Sequence, residues 1–474
     1  MDLELMRKIW KISRCLWRRV PDDPDDDKPY RHMQRPLSGS FANTYKYLLF
    51  VLLILLVLLD SASQFFFSLS LSSSLFLVLE MTTRFAMRAA AVALPAIFAS
   101  SSAALDFNYP GADTALPDRI QWLTEGLVQA CNFTACQMWD LDWIDYATLD
   151  GLIAGKTYIP SDYGVGTGDL EQIKSCWGVG LGELNNGQYS DDVGWKMTTW
   201  LTAADYYNST GDTDTADSWI NDITPWYAGV VAMRDDLCGG GIYWEQGHNY
   251  KATISNSLFL SVSARLYEYT GNTTYLDNAV TAANFLFQDN GVWDSTKGLG
   301  DGITANSSTG ECSVSPSLFT YNQGVSLDGL VSLALTQQNT TYSDWATALV
   351  NVFMTPPTLI DYNGVVHEGG DSNSGGSDGQ GSMFKGAYMN HFRTYMERLP
   401  LTNVTNPYAN FTNNNAEAAW VAADATGSWQ MSTIWINSTG GANPGGSPVG
   451  QWGGAGSILA AQVLEYAQGK LHIS

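Results

Sequence analysis

The sequence predicts an all-α fold: an (α/α)6 toroid, or barrel, of helical hairpins closed into a single domain. Three observations carry that expectation. A helix pair recurs roughly every 60–70 residues, in "GWKMTTWLTAADYYNSTGDTDTADSWINDITPWY", "SNSLFLSVSARLYEYTGNTTYLDNAVTAANFLF" and "NQGVSLDGLVSLALTQQNTTYSDWATALVNVFM". In each copy a first helix rich in small residues ends at a turn containing Gly or Asn (TGD, TGN, QNT), and a second opens after Thr, Asp or Tyr. Gly, Ala and Ser let inner helices pack closely, while Gly-rich loops such as "CGGGIYW" and "HEGGDSNSGGSDGQGS" join the units. An open solenoid is the alternative, but copies this divergent favour a closed ring with a cleft at one end.

The chain of 474 residues begins with a stretch unlike the rest. Residues 1–80 pass from a Pro-, Asp- and Arg-rich segment into "YLLFVLLILLVLLD" (47–60) and a Ser/Phe/Leu run (61–79). The apolar run 47–59 is short for a membrane span, although together with the Ser/Phe/Leu run it reaches membrane length if Asp60 is tolerated. At Met81 a second signal starts: Arg84 and Arg88, an Ala-rich apolar stretch, then small residues suited to cleavage near Ala103 or Ala104. The expectation is that 81–104 is a secretory signal peptide, that 1–80 is an upstream extension outside the mature protein, and that 105–474 is the folded domain. In the alternative, 1–80 supplies a membrane anchor, and only then does the protein contact a membrane. Within 105–474, hairpins are expected from 117–155, from the three repeats, from 384–399 with 413–425, and from 454–468, five to six in all.

Composition excludes some partners. With 45% hydrophobic and 12% aromatic residues the chain can bury a sizeable core. Its formal charge is −23, and 12 of the 24 basic but only 9 of the 47 acidic residues lie in 1–103, which leaves 12 against 38, a net of −26. A phosphate backbone would be repelled, so nucleic acid is not a partner. Sequons at Asn132, Asn208, Asn272, Asn306, Asn339, Asn403, Asn410 and Asn437 suit a secreted glycoprotein, extracellular or in a cell wall. Of six cysteines, Cys131, Cys136, Cys176, Cys238 and Cys312 follow the signal, which allows up to two disulfides with one thiol left over and leaves the pairing open. There is no CxxC, and the five histidines are scattered, so no metal and no cofactor is expected. His248 and His367 read as surface or supporting residues. The acidic string "DLDWIDYATLD" lacks the Gly and the bidentate Glu of a calcium loop and reads as a solvated helix face, Asp140 excepted. "GDTDTAD" reads as a helix start, and the C-terminus lacks the apolar tail of a lipid anchor signal.

The chemistry concentrates in "YSDDVGW", residues 189–195. Asp191 and Asp192 open the first helix of the first repeat, where carboxylates serve as simple caps. Tyr189, Trp195 and Trp200 argue for more, because aromatic planes beside carboxylates hold sugar rings. An apolar wall also keeps one of two adjacent carboxyls protonated. Glycosidic cleavage needs that asymmetry: one group to protonate the leaving oxygen, another to attack the anomeric carbon. Adjacent residues hold their carboxyls at the roughly 5 Å that retention of configuration uses.

At these residues the sequence resembles glycoside hydrolase family 76, the endo-α-1,6-mannanases and their fungal cell-wall relatives. The resemblance rests on "YSDDVGW", "CGGGIYW" (238–244), "YKATISNSLFLSVSARLYEYTGNTTYLDNA" (250–279), "TYNQGVSLDGL" (320–330) and "FKGAYMNHF" (384–392), in that order. It covers about residues 105–470 and implies an (α/α)6 catalytic domain that hydrolyses α-1,6-mannan with retention. Asp191 then matches the nucleophile and Asp192 the general acid/base. Trp139, Asp140, Trp195, Tyr243, Trp244, Tyr250, Lys251, Asn256, Tyr321, Asn322, Gln323, Phe384 and Lys385 are expected to line the cleft, with core packing or helix capping as their ordinary alternatives. The family often has Trp-Trp after the Gly triplet and Lys-Asn after the Tyr, where this chain has Tyr243-Trp244 and Lys251-Ala252. The same residues would serve a transglycosylase that attaches the mannose-containing anchor remnants of glycoproteins to a wall glucan acceptor. A catalytically idle mannan-binding protein would keep the cleft without the reaction. A terpene-type synthase is excluded, since its motif wants an acid where Trp195 stands.

Overall fold

The computed structural model describes residues 116–129, 131–138, 143–156, 165–178, 189–245, 247, 249–288, 290–356, 358–368, 384–399, 406–424 and 456. All lie in the second of the two units into which the chain divides, Asp106–Ser474. The expected extension, membrane run and signal peptide lie outside the described residues, as does all of 454–468 except Gly456. No helix among the described residues is long and apolar enough to cross a membrane.

Eleven α-helices of the described residues alternate between an outer and an inner ring. They are α1 (Leu116–Gln129), α2 (Trp143–Gly155), α3 (Thr167–Trp177), α4 (Ser190–Ser209), α5 (Thr213–Val231), α6 (Thr253–Thr270), α7 (Thr273–Phe287), α8 (Thr320–Gln337), α9 (Thr340–Phe353), α10 (Phe384–Arg398) and α11 (Asn406–Asp424). The inner helices pack in the order α2, α4, α6, α8, α10. A bond from Asn390 Nδ2 to Asp150 Oδ2 (2.6 Å) joins α10 back to α2. Outer helices cover the inner ones, α5 on α4, α7 on α6 and α9 on α8. Phe411 of α11 meets Phe392 of α10, and Trp122 of α1 meets Trp420 of α11. This is the expected (α/α)6 toroid.

Local chemistry sets the hairpins. At the three expected turns Asp212, Asn272 and Asn339 each accept a bond from a backbone N–H of the following helix, satisfying one of its free donors. Gly271 ends α6 in the left-handed conformation. Small residues bring the inner helices together: a Cβ on Gly324 would lie 2.4 Å from Tyr388 Cα, and one on Gly329 2.8 Å from the Leu260 backbone carbon. Ser257 and Ser326 hydrogen bond across the α6–α8 contact at 2.7 Å. Between the rings lies the apolar core, with Trp200, Trp219 and Trp226 all buried.

Several elements differ from the sequence reading. The segment 117–155 holds the two helices of the expected hairpin, but α3 was not expected. Helix α11 begins seven residues earlier than 413. Loops between repeats carry two small sheets: β1 (Tyr250–Ala252), β4 (Gly302–Ala305) and β5 (Cys312–Ser315) pair antiparallel in the order β1-β4-β5, and β2 (Trp293–Asp294) pairs with β3 (Gly298–Leu299). The solvated acidic face is also corrected. Asp145 and Asp150 are buried, and Asp150 accepts bonds from Thr202 Oγ1 (2.5 Å) and Asn390, because α2 belongs to the inner ring and its polar groups must pair inside it. Two disulfides, Cys136–Cys176 and Cys238–Cys312, leave Cys131 as the free thiol. Of the sequon asparagines, Asn132, Asn272 and Asn339 double as helix caps.

Candidate active site

Asp191 and Asp192 occupy the first turn of α4. Their position is fixed from behind by Ser190, whose N–H donates to Trp244 O (2.8 Å) and whose hydroxyl donates to Tyr243 O (2.8 Å) and hydrogen bonds with Ser255 Oγ (2.9 Å). The start of the helix is thereby tied to the segment that carries the aromatic residues.

Two aromatic walls flank the pair. In the first, the Tyr189 and Trp244 rings lie 4.4 Å apart and Tyr250 meets Trp244 edge-on at 6.4 Å. In the second, Tyr321 and Phe384 stack at 3.8 Å, and Trp143 lies 6.4 Å and 5.9 Å from them. Asp191 interacts with both. It accepts a hydrogen bond from the Trp244 side chain, and its charge helps push the Tyr321 phenol up, after burial and the carboxylate of Asp301. Trp244 is 36% exposed, which leaves part of its face open to a ligand.

Burial is the main cause that raises the Asp191 carboxyl to about 7, with the neighbouring Asp192 charge second. The Trp244 bond and the backbone N–H groups of Asp191 and Asp192 work in the opposite direction, toward the anion. Its Oδ1 is sealed from solvent and has no partner among the described residues. Asp192 faces the α2 side, where its charge, after burial and Asp145, helps raise Tyr146 to about 12. The arrangement is a coupled pair with one proton held near neutrality, and both groups lie within reach of aromatic surface.

Of the expected lining residues, Tyr243, Trp244, Tyr250, Tyr321 and Phe384 keep some exposure. Trp139 and Asp140 lie outside the described residues. The others need correction. Trp195 is 1% exposed and stacks under Trp143 at 5.2 Å, backing the wall instead of forming its surface. Lys251 is buried because its ammonium donates to Asp235 Oδ1 (2.5 Å), Leu237 O (2.8 Å) and Gly240 O (2.7 Å), clamping the Gly-rich loop. Asn256, also buried, holds Ile242 through both its N–H and its carbonyl, and Gln323 holds Leu299 the same way. Asn322 and Lys385 are sealed too, so neither presents a surface to ligand. These motif residues brace the cleft from behind.

Two residues were missed. Trp143 closes "QMWDLDW", a string in which Trp139 and Asp140 were expected to reach the cleft, and only the stack shows that this last tryptophan forms the wall. Asp301, in the turn before β4, accepts from Tyr250 Oη (2.6 Å) and lies 3.5 Å from Asn322 Nδ2. It adds a third, partly exposed carboxylate beside Tyr321, and no local pattern around "GLGDG" marks it. Among the described residues no group of His, Cys, Asp and Glu is arranged to hold a metal.

The family model for glycosyl hydrolase family 76 matches residues 182–470, more than half of the chain. The chain belongs to glycosyl hydrolase family 76. It is 28% identical over 244 residues to the mannan endo-1,6-alpha-mannosidase DFG5 of Saccharomyces cerevisiae, covering 48% of this chain and 50% of that one. With DCW1 of the same name and organism it shares 27% over 260 residues, 52% of this chain and 55% of that one. The match thus spans about half the length of these family members. Among solved structures, an alpha-1,6-mannanase from Salegentibacter sp. has a TM-score of 0.59 at 20% identity, over 74% of this chain and 100% of that one. A variant of it inactivated at two consecutive aspartates was solved in complex with alpha-1,6-mannotriose. Dfg5 from Chaetomium thermophilum, solved in complex with glucosamine, has a TM-score of 0.56 at 18% identity, over 76% of this chain and 93% of that one. These likenesses place the toroid among the folds of the family.

Proposed function

We propose that the protein is a retaining glycosidase that cleaves α-1,6-mannosidic bonds of mannan outside the cell or in the cell wall. The observation that carries this reading is the pair of consecutive carboxyls between two aromatic walls, one of them raised to about 7. Family membership supports the substrate class. Exposed sequons and two disulfides support an extracellular site.

The reaction uses the pair with one proton. Asp192 gives that proton to the glycosidic oxygen while the Asp191 carboxylate attacks the anomeric carbon, so the C–O bond breaks and a glycosyl ester forms. Water then attacks the same carbon, gives its proton to Asp192 and releases Asp191. Burial and the charge of Asp192 favour the proton on Asp191, which is the opposite placement. With the proton on Asp192 the pair still carries one charge, and the Trp244 and backbone donors then favour Asp191 as the nucleophilic anion. Tyr321, pushed well above its usual range, stays protonated and available as a donor.

In a second reading a sugar hydroxyl of wall glucan replaces water, transferring a mannose-containing anchor remnant of a glycoprotein. The half-open face of Trp244 beside the pair favours it, as a platform for an acceptor ring. The test is product analysis with α-1,6-mannotetraose, with and without glucan. Shorter α-anomers that Asp191→Asn and Asp192→Asn each reduce by roughly 10³-fold or more are expected. Products of inverted configuration, or full activity in either variant, would overturn the mechanism, and glucan-linked products would select the second reading.

A further inference from the structure

A second place in the molecule has the makings of a sugar site. The chain reverses between Ile360 and Val366, which pair as an isolated antiparallel bridge, and the turn between them presents Tyr362 with 84% of its surface exposed. This turn is held from both sides. Asp361 Oδ1 accepts from the N–H groups of Asn363 (2.8 Å) and Val365 (2.8 Å). Helix α11 then clamps it: Asn414 Nδ2 donates to Asn363 O (2.7 Å), Asn415 Nδ2 donates to Gly364 O (2.9 Å), and Val366 N donates to Asn415 Oδ1 (2.8 Å). An aromatic side chain carried on a backbone fixed in this way meets a ligand with little backbone ordering to lose.

Next to the turn lies an open cavity of about 510 Å³, lined by Asn363, Val365, Asn414, Glu417, Ala418 and Val421. Its polar atoms are two amides and a carboxylate, and Glu417 is oriented by the Arg119 guanidinium at 2.8 Å. Neutral amides, a carboxylate acceptor and small apolar patches suit vicinal hydroxyls and C–H faces, not a charged or wholly apolar ligand. None of these residues belongs to the catalytic cleft.

We infer that Tyr362 and the adjoining cavity on α11 form a non-catalytic site for the same mannan polymer that the cleft takes. The identity of the sugar rests on the function proposed above; the aromatic and amide chemistry does not. A site of this kind adds little for a short oligosaccharide. It matters for a polymer long enough to reach both places, because the second contact is then made at a high effective concentration.

The experiment compares the parent with Tyr362→Ala and Tyr362→Trp, using affinity electrophoresis in gels containing yeast α-mannan and turnover of α-1,6-mannotetraose. Tyr362→Ala is expected to weaken mannan retardation about tenfold or more while tetraose turnover stays at the parental rate. Tyr362→Trp is expected to restore retardation. The side chain is almost wholly exposed, so a change in unfolding temperature is not expected. Parental retardation of Tyr362→Ala, or failure of Tyr362→Trp to restore it, overturns the inference. If retardation depends on Tyr362 but no tetraose is cleaved, the surface site stands and the proposed reaction falls.

Discussion

The toroid treats two of its enclosed carboxylates, Asp328 and Asp191, in opposite ways. Deep in the ring, Asp328 of α8 contacts His391 of α10 at 2.8 Å, and Arg265 of α6 reaches Asp205 at 2.6 Å. Burial alone would raise Asp328, yet His391 and Arg265 outweigh it and hold the carboxyl below its ordinary value. At the mouth, no basic residue among the described residues offsets the burial of Asp191, whose influences are a like charge, an indole donor and backbone N–H groups, and it rises to about 7. Burial pushes both carboxyls up, and the presence of cationic partners decides the net sign. The interior is arranged for stability and the mouth for proton transfer.

Breaking the interior pair tests this contrast most severely. Asp328→Asn leaves His391 without its carboxylate and is expected to cost about 3–5 kcal/mol, read from urea unfolding at pH 7. An Asp held low in the native state stabilises above its unfolded value near pH 4 and loses that contribution on acidification, so the deficit should shrink as pH falls. Asp191 has the opposite sign. Its native value lies above the unfolded one, so its ionisation penalty is absent below about pH 4, grows between pH 4 and 7, and is complete above. Asp191→Asn is therefore expected to stabilise the protein by on the order of 2–4 kcal/mol at pH 8 and by little at pH 4, while abolishing turnover. A destabilised Asp191→Asn would show that the mouth is not strained in this way.

How far the sequence disclosed these two places depends on what holds each together. The hairpins were legible because turn chemistry at Gly271, Asn272 and Asn339 is local, and the catalytic pair because its neighbours in sequence are aromatic. The interior layer was not. Asp150 looks like a surface acid until α2 is placed in the inner ring, and only the ring brings Asn390 to it. The motif strings marked the right region, but they could not separate Trp244, which faces the cleft, from Trp195, Asn256 and Gln323, which hold the wall from behind. Helical spacing gives a direction for a side chain, whereas exposure depends on what the fold later lays over it.

The smallest effect sharpens the comparison most, since it concerns one hydrogen bond. The singly protonated pair is the reactive form, so kcat/KM should fall above about pH 7 as the last proton leaves. The Trp244 bond pulls the Asp191 carboxyl downward against burial. Trp244→Phe keeps an aromatic face and removes the donor, so the anion loses part of its support. The basic limb of the kcat/KM profile for α-1,6-mannotetraose should then move up by about half to one pH unit, equivalent to roughly 1 kcal/mol. Loss of the ring as a sugar platform would instead raise KM equally at every pH and leave the limb in place. A limb that stays near 7 in Trp244→Phe would mean that the indole does not support the Asp191 anion. The contrast between mouth and interior would then rest on the missing cation alone.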